Sequence, residues 1–425
     1  MNTMINKPKL AVIGIGYVGL PLAISLSNFY QVKAYDINKS RILSLKRNYD
    51  ITGEFSSSDL KRGKFIDFTS NQADLFNTNI FFITVPTPID KNNKPDLRNL
   101  IHATKLVARN LKKKSIVIYE STVFPGCTEE VCLPIIENIS KYKLNKDFYL
   151  AYSPERINPG KSKYKLKNTV KVISASNQYS LKTINKIYKK ICSKTHLAES
   201  IKIAEAAKII ENTQRDLNIA LINELSIIFH KMDIDINKIL NAASTKWNFI
   251  KFQPGLVGGH CIGVDPYYLT YKSKQLQYNP KVILSGRKIN DSMGFYVAKK
   301  LTSFFKKKRK KLFKSKILVL GVAFKENCSD MRNSRIFDTI NYLKKKGANV
   351  DVYDPLVPIN FLKRKTKKYL VNLNTKNFYD AIIISVAHNE FSSMGIKKIK
   401  SMLKKDGLIF DLKSIFSKKE TDWQL

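Results

Sequence analysis

The chain has 425 residues, 44 % hydrophobic and 25 % charged, enough for two or three domains and a sizeable core. No apolar run approaches the roughly 20 residues of a membrane helix, and Met1 to Leu10 lacks the apolar segment of a signal peptide. The net charge of +40 invites a nucleic-acid partner, but the lysines are spread along the whole chain and the densest run, Lys306 to Lys311, has no interleaved aromatics.

The charge is therefore read as solvated surface that helps attract a dianionic substrate, with no nucleic-acid or membrane partner expected. The five cysteines, Cys127, Cys132, Cys192, Cys261 and Cys328, are odd in number and scattered. They read as thiols in a reducing cytoplasm, each to be weighed as core filler or nucleophile. Cys127 and Cys132 lack zinc-knuckle spacing and only five histidines are present, so no metal is expected.

In chain order, Lys9 to Ile13 is a short apolar strand running into Gly14, Gly16 and Gly19, and Pro21 to Ser27 is the first helix. Val32 to Tyr35 is a second strand, ended by Asp36. Buried strands follow at Ile80 to Val85, Ser115 to Tyr119 and Phe148 to Tyr152. Strands alternating with helices predict a parallel, doubly wound sheet. From Ile201 to His230 apolar residues recur at helical spacing without Pro or Gly, and helical sequence continues to about Ser303. Beyond the lysine run the alternation resumes with Ile317 to Leu320, Val350 to Tyr353, Ala381 to Val386 and Leu408 to Phe410. The expected architecture is α/β, with two Rossmann-like parallel-sheet domains joined by a helical connector with a long central helix. Its segments are 1–200, 201–305 and 312–425.

Gly14-Ile15-Gly16-Tyr17-Val18-Gly19 fits GxGxxG between a strand and a helix. The first glycine permits the tight turn, the second lets backbone approach a pyrophosphate, and the third lets helix pack on strand. The helix N-terminus adds free N–H groups for the phosphates. Asp36 stands 17 residues after Gly19 at the end of the next strand. A carboxylate there accepts ribose hydroxyls and repels a 2′-phosphate, which predicts NAD over NADP. Lys39 and Arg41 are nearby cations that could pair with such a phosphate.

Between Pro254 and Tyr268, Gly255, Gly258, Gly259 and Gly263 surround Cys261, and Asp265 follows it. A structural cysteine needs no such glycines; they let a backbone wrap a ligand and hold a thiol at its edge. Lys208 and Asn212, four apart, share one face of the predicted long helix and could aim donors at an oxyanion. A solvated helix face is the plainer account of that pair. Glu120 to Gly126 and Ser153 to Arg156 follow strands at their carboxyl ends, where open α/β sheets bind ligands.

Taken together and in this order, these pieces resemble the UDP-glucose/GDP-mannose dehydrogenase family over essentially the whole chain. The matching segments are Gly14 to Pro21, Pro86 to Pro88, Ser121-Thr122, Pro154-Glu155, Ala204 to Glu224, Pro254 to Asp265, Gly321 to Lys325 and Asp330 to Ser334. The loop Gly255 to Leu269 is similar to the branch that oxidises UDP-N-acetylhexosamines for surface polysaccharide. The resemblance implies an NAD-dependent nucleotide-sugar 6-dehydrogenase, cytoplasmic and homodimeric, acting on a UDP-sugar. It implies that Gly14, Gly16, Tyr17, Val18, Gly19, Asp36, Arg41, Thr87, Thr122 and Arg332 hold NAD. Cys261 matches the nucleophile, Asp265 an aspartate assisting water or proton transfer, and Glu155 a general acid/base. Lys208 and Asn212 match a pair that stabilises the oxyanion and contacts substrate, and Thr122 a threonine near the reactive water. Gly258 and Lys325 match substrate contacts. Two positions depart from the UDP-glucose enzymes: Val264 replaces a lysine and Pro159 a second glutamate. UDP-glucose and GDP-mannose are the rival substrates within the fold. A two-electron hydroxyacid dehydrogenase with Cys261 as packing, and a basic binding protein, are the rivals outside it.

Overall fold

Leu-Ala-Val-Ile and Ile-Phe-Phe-Ile form the middle of the first sheet because tetrads apolar at every position suit a strand covered on both faces. The chain is described by a computed structural model at residues 8–53, 55–156, 166–366, 369, 372–373 and 375–425; Pro159 lies outside these. Two units are resolved, one of residues up to Glu211 with Tyr267–Asn279, the other of Asn212–Pro266 with Pro280–Leu425.

The first unit contains β1 (Leu10–Ile13), β2 (Val32–Tyr35), β3 (Ile66–Thr69), β4 (Ile80–Ile83), β5 (Ser115–Tyr119), β6 (Phe148–Tyr152), β7 (Val170–Ala175) and β8 (Lys194–Leu197). Their order is β3-β2-β1-β4-β5-β6-β7-β8, and the crossover between β1 and β4 makes the switch point at which doubly wound sheets bind nucleotides. All pairings are parallel except β6 with β7, which is antiparallel. The strands read from the sequence, β1, β2, β4, β5 and β6, pair in parallel as expected, and the antiparallel pairing comes with β7, which the sequence reading did not place. Helix α1 (Gly19–Ser27) follows β1 directly.

In the second unit β9 (Lys316–Leu320), β10 (Asn349–Tyr353), β11 (Tyr379–Ile384), β12 (Leu403–Asp411) and β13 (Trp423–Gln424) form a parallel sheet ordered β10-β9-β11-β12-β13. Its core joins Ile317, Val319, Val350, Ile383 and Phe410 to Met293, Val297 and Leu301. The turn after the first strand of each sheet is closed in the same way. Ile15 N–H donates to Asp36 at 2.8 Å, and Val322 N–H donates to Asp354 at 2.7 Å. Each aspartate follows the strand beside the turn, so the two sheets share this device although their strand orders differ.

The long helix α2 (Ile201–Lys231) runs 31 residues, one beyond the span read from its periodicity. Helix α3 (Asp265–Gln275) begins at Asp265, and α4 (Lys281–Lys307) carries Gly286 against Leu217 and Ala220 of α2. A β-carbon at Gly286 would stand 2.4 Å from the end of the Leu217 side chain, which would have to turn aside to admit it. Among the described residues no helix is long and apolar enough to cross a membrane.

Candidate active site

The glycine turn after β1 has the shape a pyrophosphate needs. Gly14 has φ +94°, and a β-carbon at Gly19 would fall 1.9 Å from the Gly14 carbonyl oxygen. Gly16 faces open space, with nothing within 4 Å of a β-carbon built there. Close packing at the third glycine and room at the second fit a dinucleotide. Tyr17 and Val18 complete the turn, and Val18 is the N-cap of α1. Asp36 accepts N–H groups from Ile15 and Asn38 at 2.8 and 2.9 Å, so it shapes the turn as well as ending β2. Arg41 is buried, donates from Nε to the Ile15 carbonyl at 3.2 Å and pairs with Asp50. Those bonds engage it with the protein, against a role as a spare cation for a 2′-phosphate.

Further along the carboxyl edge of this sheet, Thr87 Oγ1 donates to the Thr122 carbonyl at 2.6 Å. That bond joins two threonines expected at the cofactor, and Tyr268 Oη donates to the Thr87 carbonyl at 2.7 Å. The loop after Thr122 is held from beneath by Glu205 of α2, which accepts the N–H groups of Gly126 and Thr128. Burial pushes the Glu205 carboxyl up to about 7, against those hydrogen bonds. Glu155 follows β6 and is buried; its Oε2 lies 3.3 Å from Lys171 Nζ. Lys208 on α2 is buried, only 8 % exposed. A solvated helix face is therefore the wrong account of Lys208.

In the second unit the glycine loop is anchored at its start. Asn223 of α2 donates to the Gly255 carbonyl at 3.0 Å and accepts the Gly255 N–H at 2.8 Å. Asn223 is tied to Asn290, and Asn290 to Asp216, which pairs with the buried Arg287. Farther on, β-carbons at Gly258 and Gly259 would each stand 2.8 Å from a neighbour, Asn333 O and the Phe324 ring. Gly259 N–H donates to Arg332 O at 3.1 Å, and Asn333 donates to Gly259 O at 3.1 Å. These two glycines thus let the loop lie against the 324–334 segment, in addition to any ligand contact.

Cys261 is the exposed member of the five cysteines; the other four are buried. Burial pushes Cys192, for one, up to about 12, as suits a packing thiol. Asp265 N–H donates to the Cys261 carbonyl at 2.8 Å, and Asn212 donates its side-chain amide to the Asp265 carboxylate. Cys261, Asp265 and Asn212 are therefore one connected group, started by the loop and finished by two helices. His260 sits 3.6 Å from Asp330 and is held neutral, since burial, aided by Arg332, pulls its pKa down to about 4. Arg332 grips Asp330 through two nitrogens. Burial works to raise Asp330, and the guanidinium outweighs it, keeping the carboxyl below its usual range. Gly258 and Lys325 line one pocket with Arg335, Ser385 and Lys413, a set suited to phosphate oxygens.

Sequence reasoning missed Lys171, Tyr188, Glu205, Asn223, Asn290 and Arg287. Lys171 carried the clearest signal, a lysine inside the apolar run Val170 to Ile173. The others are polar residues on helices, where spacing does not separate a buried face from a wet one.

The chain matches the UDP-glucose/GDP-mannose dehydrogenase family in three consecutive parts: the NAD binding domain over residues 8–192, the central domain over 202–292 and the UDP binding domain over 318–418. It is 47 % identical to UDP-N-acetyl-D-glucosamine 6-dehydrogenase of Salmonella typhi, covering 99 % of each chain. It is 46 % identical to Protein CapL of Staphylococcus aureus, covering 97 % of each. Among solved structures it resembles the UDP-D-ManNAc dehydrogenase of Pyrococcus horikoshii with a TM-score of 0.88 at 30 % identity, over 98 % of each chain.

Proposed function

Because the chain belongs to the UDP-glucose/GDP-mannose dehydrogenase family, we propose that it oxidises the C6 alcohol of a UDP-N-acetylhexosamine to the uronic acid. It is an NAD-dependent dehydrogenase of UDP-sugars. UDP-N-acetyl-D-glucosamine is the first choice of substrate, supported by the name of the 47 % identical relative, with the product serving surface polysaccharide. The observation that carries the chemistry is the exposed Cys261 joined through backbone to Asp265 and through Asp265 to Asn212.

A primary alcohol becomes an acid by losing two hydrides and gaining the oxygen of one water. NAD, when bound, accepts one hydride at each of the two oxidations. The first oxidation leaves an aldehyde, which the Cys261 thiolate attacks to form a thiohemiacetal. The second converts that adduct to a thioester, and water cleaves it to carboxylate and thiol. Lys208 and Asn212 are assigned to the oxyanions of the tetrahedral stages. Glu155 and Asp265 are assigned to proton transfer from the alcohol and to the hydrolytic water, with Thr122 beside that water. The acid/base groups release three protons in all. Gly14, Gly16, Tyr17, Val18, Gly19, Asp36, Thr87, Thr122 and Arg332 are assigned to NAD. Arg41 supports it indirectly, through the Ile15 carbonyl. Gly258 and Lys325 are assigned to the substrate.

Segment 1–200 is assigned to NAD, 201–305 to dimerisation and 312–425 to the UDP moiety. Exposed Ile203, Ile210, Leu221 and Ile228 along α2 support a homodimer formed through that helix. A cytoplasmic location is consistent with NAD and a nucleotide sugar as substrates. The test is kcat/KM with NAD for UDP-N-acetylglucosamine, UDP-N-acetylgalactosamine, UDP-glucose and GDP-mannose, with the product mass determined. An N-acetylhexosamine should lead and yield its uronic acid. Equal or better turnover of UDP-glucose overturns the substrate assignment.

A further inference from the structure

Beneath Glu155 lies a buried ionic cluster that the reaction scheme does not use. Lys171, the second residue of β7, is 1 % exposed, and Glu120, the residue after β5, is likewise buried. Lys171 Nζ donates to Glu120 Oε2 at 2.6 Å and to Glu155 Oε2 at 3.3 Å. Tyr188 Oη donates to the other oxygen of Glu120, and its ring lies 5.4 Å from the Lys171 ammonium. Glu155 Oε1 accepts the N–H of Arg156 at 2.6 Å. The Arg156 guanidinium is turned to Glu211 of α2 and to the Val170 carbonyl. Among the described residues Cys192 is a further titratable neighbour, and burial pushes its thiol up to about 12, so it stays neutral.

One ammonium is thus shared between two buried carboxylates, with Tyr188 able to donate to only one of them. A buried charge is costly unless paired, and a second carboxylate beside the first raises the cost of ionising both. We propose that Lys171 and Glu120 are positioning residues that fix the orientation and protonation of Glu155, the ammonium admitting Glu155 as carboxylate and Glu120 competing for it. This inference rests on the acid/base role assigned to Glu155. The packing alone does not account for the cluster, because apolar side chains of the same volume would fill the space at no electrostatic cost.

The charge states agree with this geometry. Burial works to pull the Lys171 pKa down, but Glu120 and Glu155 outweigh it, so the lysine stays charged. Burial pushes the Glu120 carboxyl up to about 7, against the pull of Lys171 and with a further push from Glu155. The Glu120 carboxyl thus answers to both neighbours, the Lys171 ammonium favouring its ionised form and Glu155 opposing it.

The experiment is the pH profile of kcat for the full-length wild type, Glu155→Gln, Lys171→Met and Lys171→Met/Glu120→Gln, with NAD binding measured for each to establish folding. Glu155→Gln should abolish the limb on which rate rises with pH. Lys171→Met removes the cation and leaves two carboxylates face to face, so that limb should move to higher pH by about one unit or more. The double variant removes the competing carboxylate as well and should bring the limb back down. If Glu155→Gln keeps the wild-type rate and profile, the role of Glu155 itself is wrong. If Glu155→Gln removes the limb but Lys171→Met leaves it in place, the role of Lys171 is wrong. A double variant whose limb stays with that of Lys171→Met removes Glu120 from the proposal. Should Lys171→Met fail to bind NAD, Glu120→Gln takes its place. It preserves volume and an acceptor for Tyr188, and it should move the limb down.

Discussion

Asn212, on the long helix, donates its side-chain amide to the carboxylate of Asp265, the first residue of α3. That bond joins a helix to the residue four beyond the exposed Cys261, and Asp265 returns its own N–H to the Cys261 carbonyl at 2.8 Å. The carboxylate is oriented by an amide that carries no charge. Asn212→Asp should replace this with two carboxylates in contact, one of which must take a proton near neutral pH. Turnover should fall by about 10²-fold, with the optimum moved to higher pH. Measured kcat against pH checks this; an unchanged profile contradicts a catalytic Asp265.

Cofactor choice follows from Asp36. Its carboxylate holds the Ile15 N–H at 2.8 Å and stands at the end of β2, where a 2′-phosphate would meet it. Asp36→Asn keeps an acceptor for Ile15 and removes the charge. kcat/KM should fall modestly with NAD and rise with NADP, narrowing the gap. A wild-type preference for NADP, measured with both cofactors, contradicts the assignment.

Substrate binding is expected to depend on Lys325, which shares a pocket with Gly258, Arg335 and Lys413 in the second unit. Lys325→Ala should raise KM for the nucleotide sugar by about tenfold or more while KM for NAD stays near the wild-type value. The reverse pattern would remove Lys325 from the substrate site.

The loop packing makes a prediction about stability. Gly258→Ala places a β-carbon 2.8 Å from the Asn333 carbonyl, where backbone must shift. A loss of about 1–3 kcal/mol is expected, read as a lower thermal midpoint, together with reduced turnover because the same loop carries Cys261. A wild-type midpoint and rate would show that the loop does not need this close approach.

Much of the fold was legible because its central strands are almost wholly apolar and end at turn residues. Leu10–Ile13, Ser115–Tyr119 and Phe148–Tyr152 could be placed to within a residue on that pattern alone. Ile66–Thr69, Val170–Ala175, Lys194–Leu197 and Trp423–Gln424 could not: three interrupt their apolar pattern with charge, and the last is two residues long. Of the candidate site, the glycine turn and the cysteine loop showed themselves through residues that serve no ordinary packing need. What stayed hidden was the support. Lys171 interrupts an apolar run, and Asn223, Asn290 and Arg287 are residue types common on helix surfaces; a buried polar network is defined by partners distant in sequence. Lys208 was a candidate from the sequence, but its burial was not legible, since spacing and residue type alone suggested a solvated face.

The central claim is that Cys261 forms a covalent bond to the substrate, and Cys261→Ser tests it most directly. Serine has nearly the volume of cysteine, and Cys261 is exposed, so a packing role would tolerate the change. A serine hydroxyl is a far weaker nucleophile near neutral pH. The variant should fold and bind NAD and the UDP-sugar, while turnover to the uronic acid falls by about 10²-fold or more. The measurement is NADH formed per sugar, with the product mass, for wild type and variant. Two NADH per sugar in the wild type and a near loss of acid product in the variant is the predicted result. A variant that forms the acid at the wild-type rate with two NADH per sugar would contradict covalent catalysis.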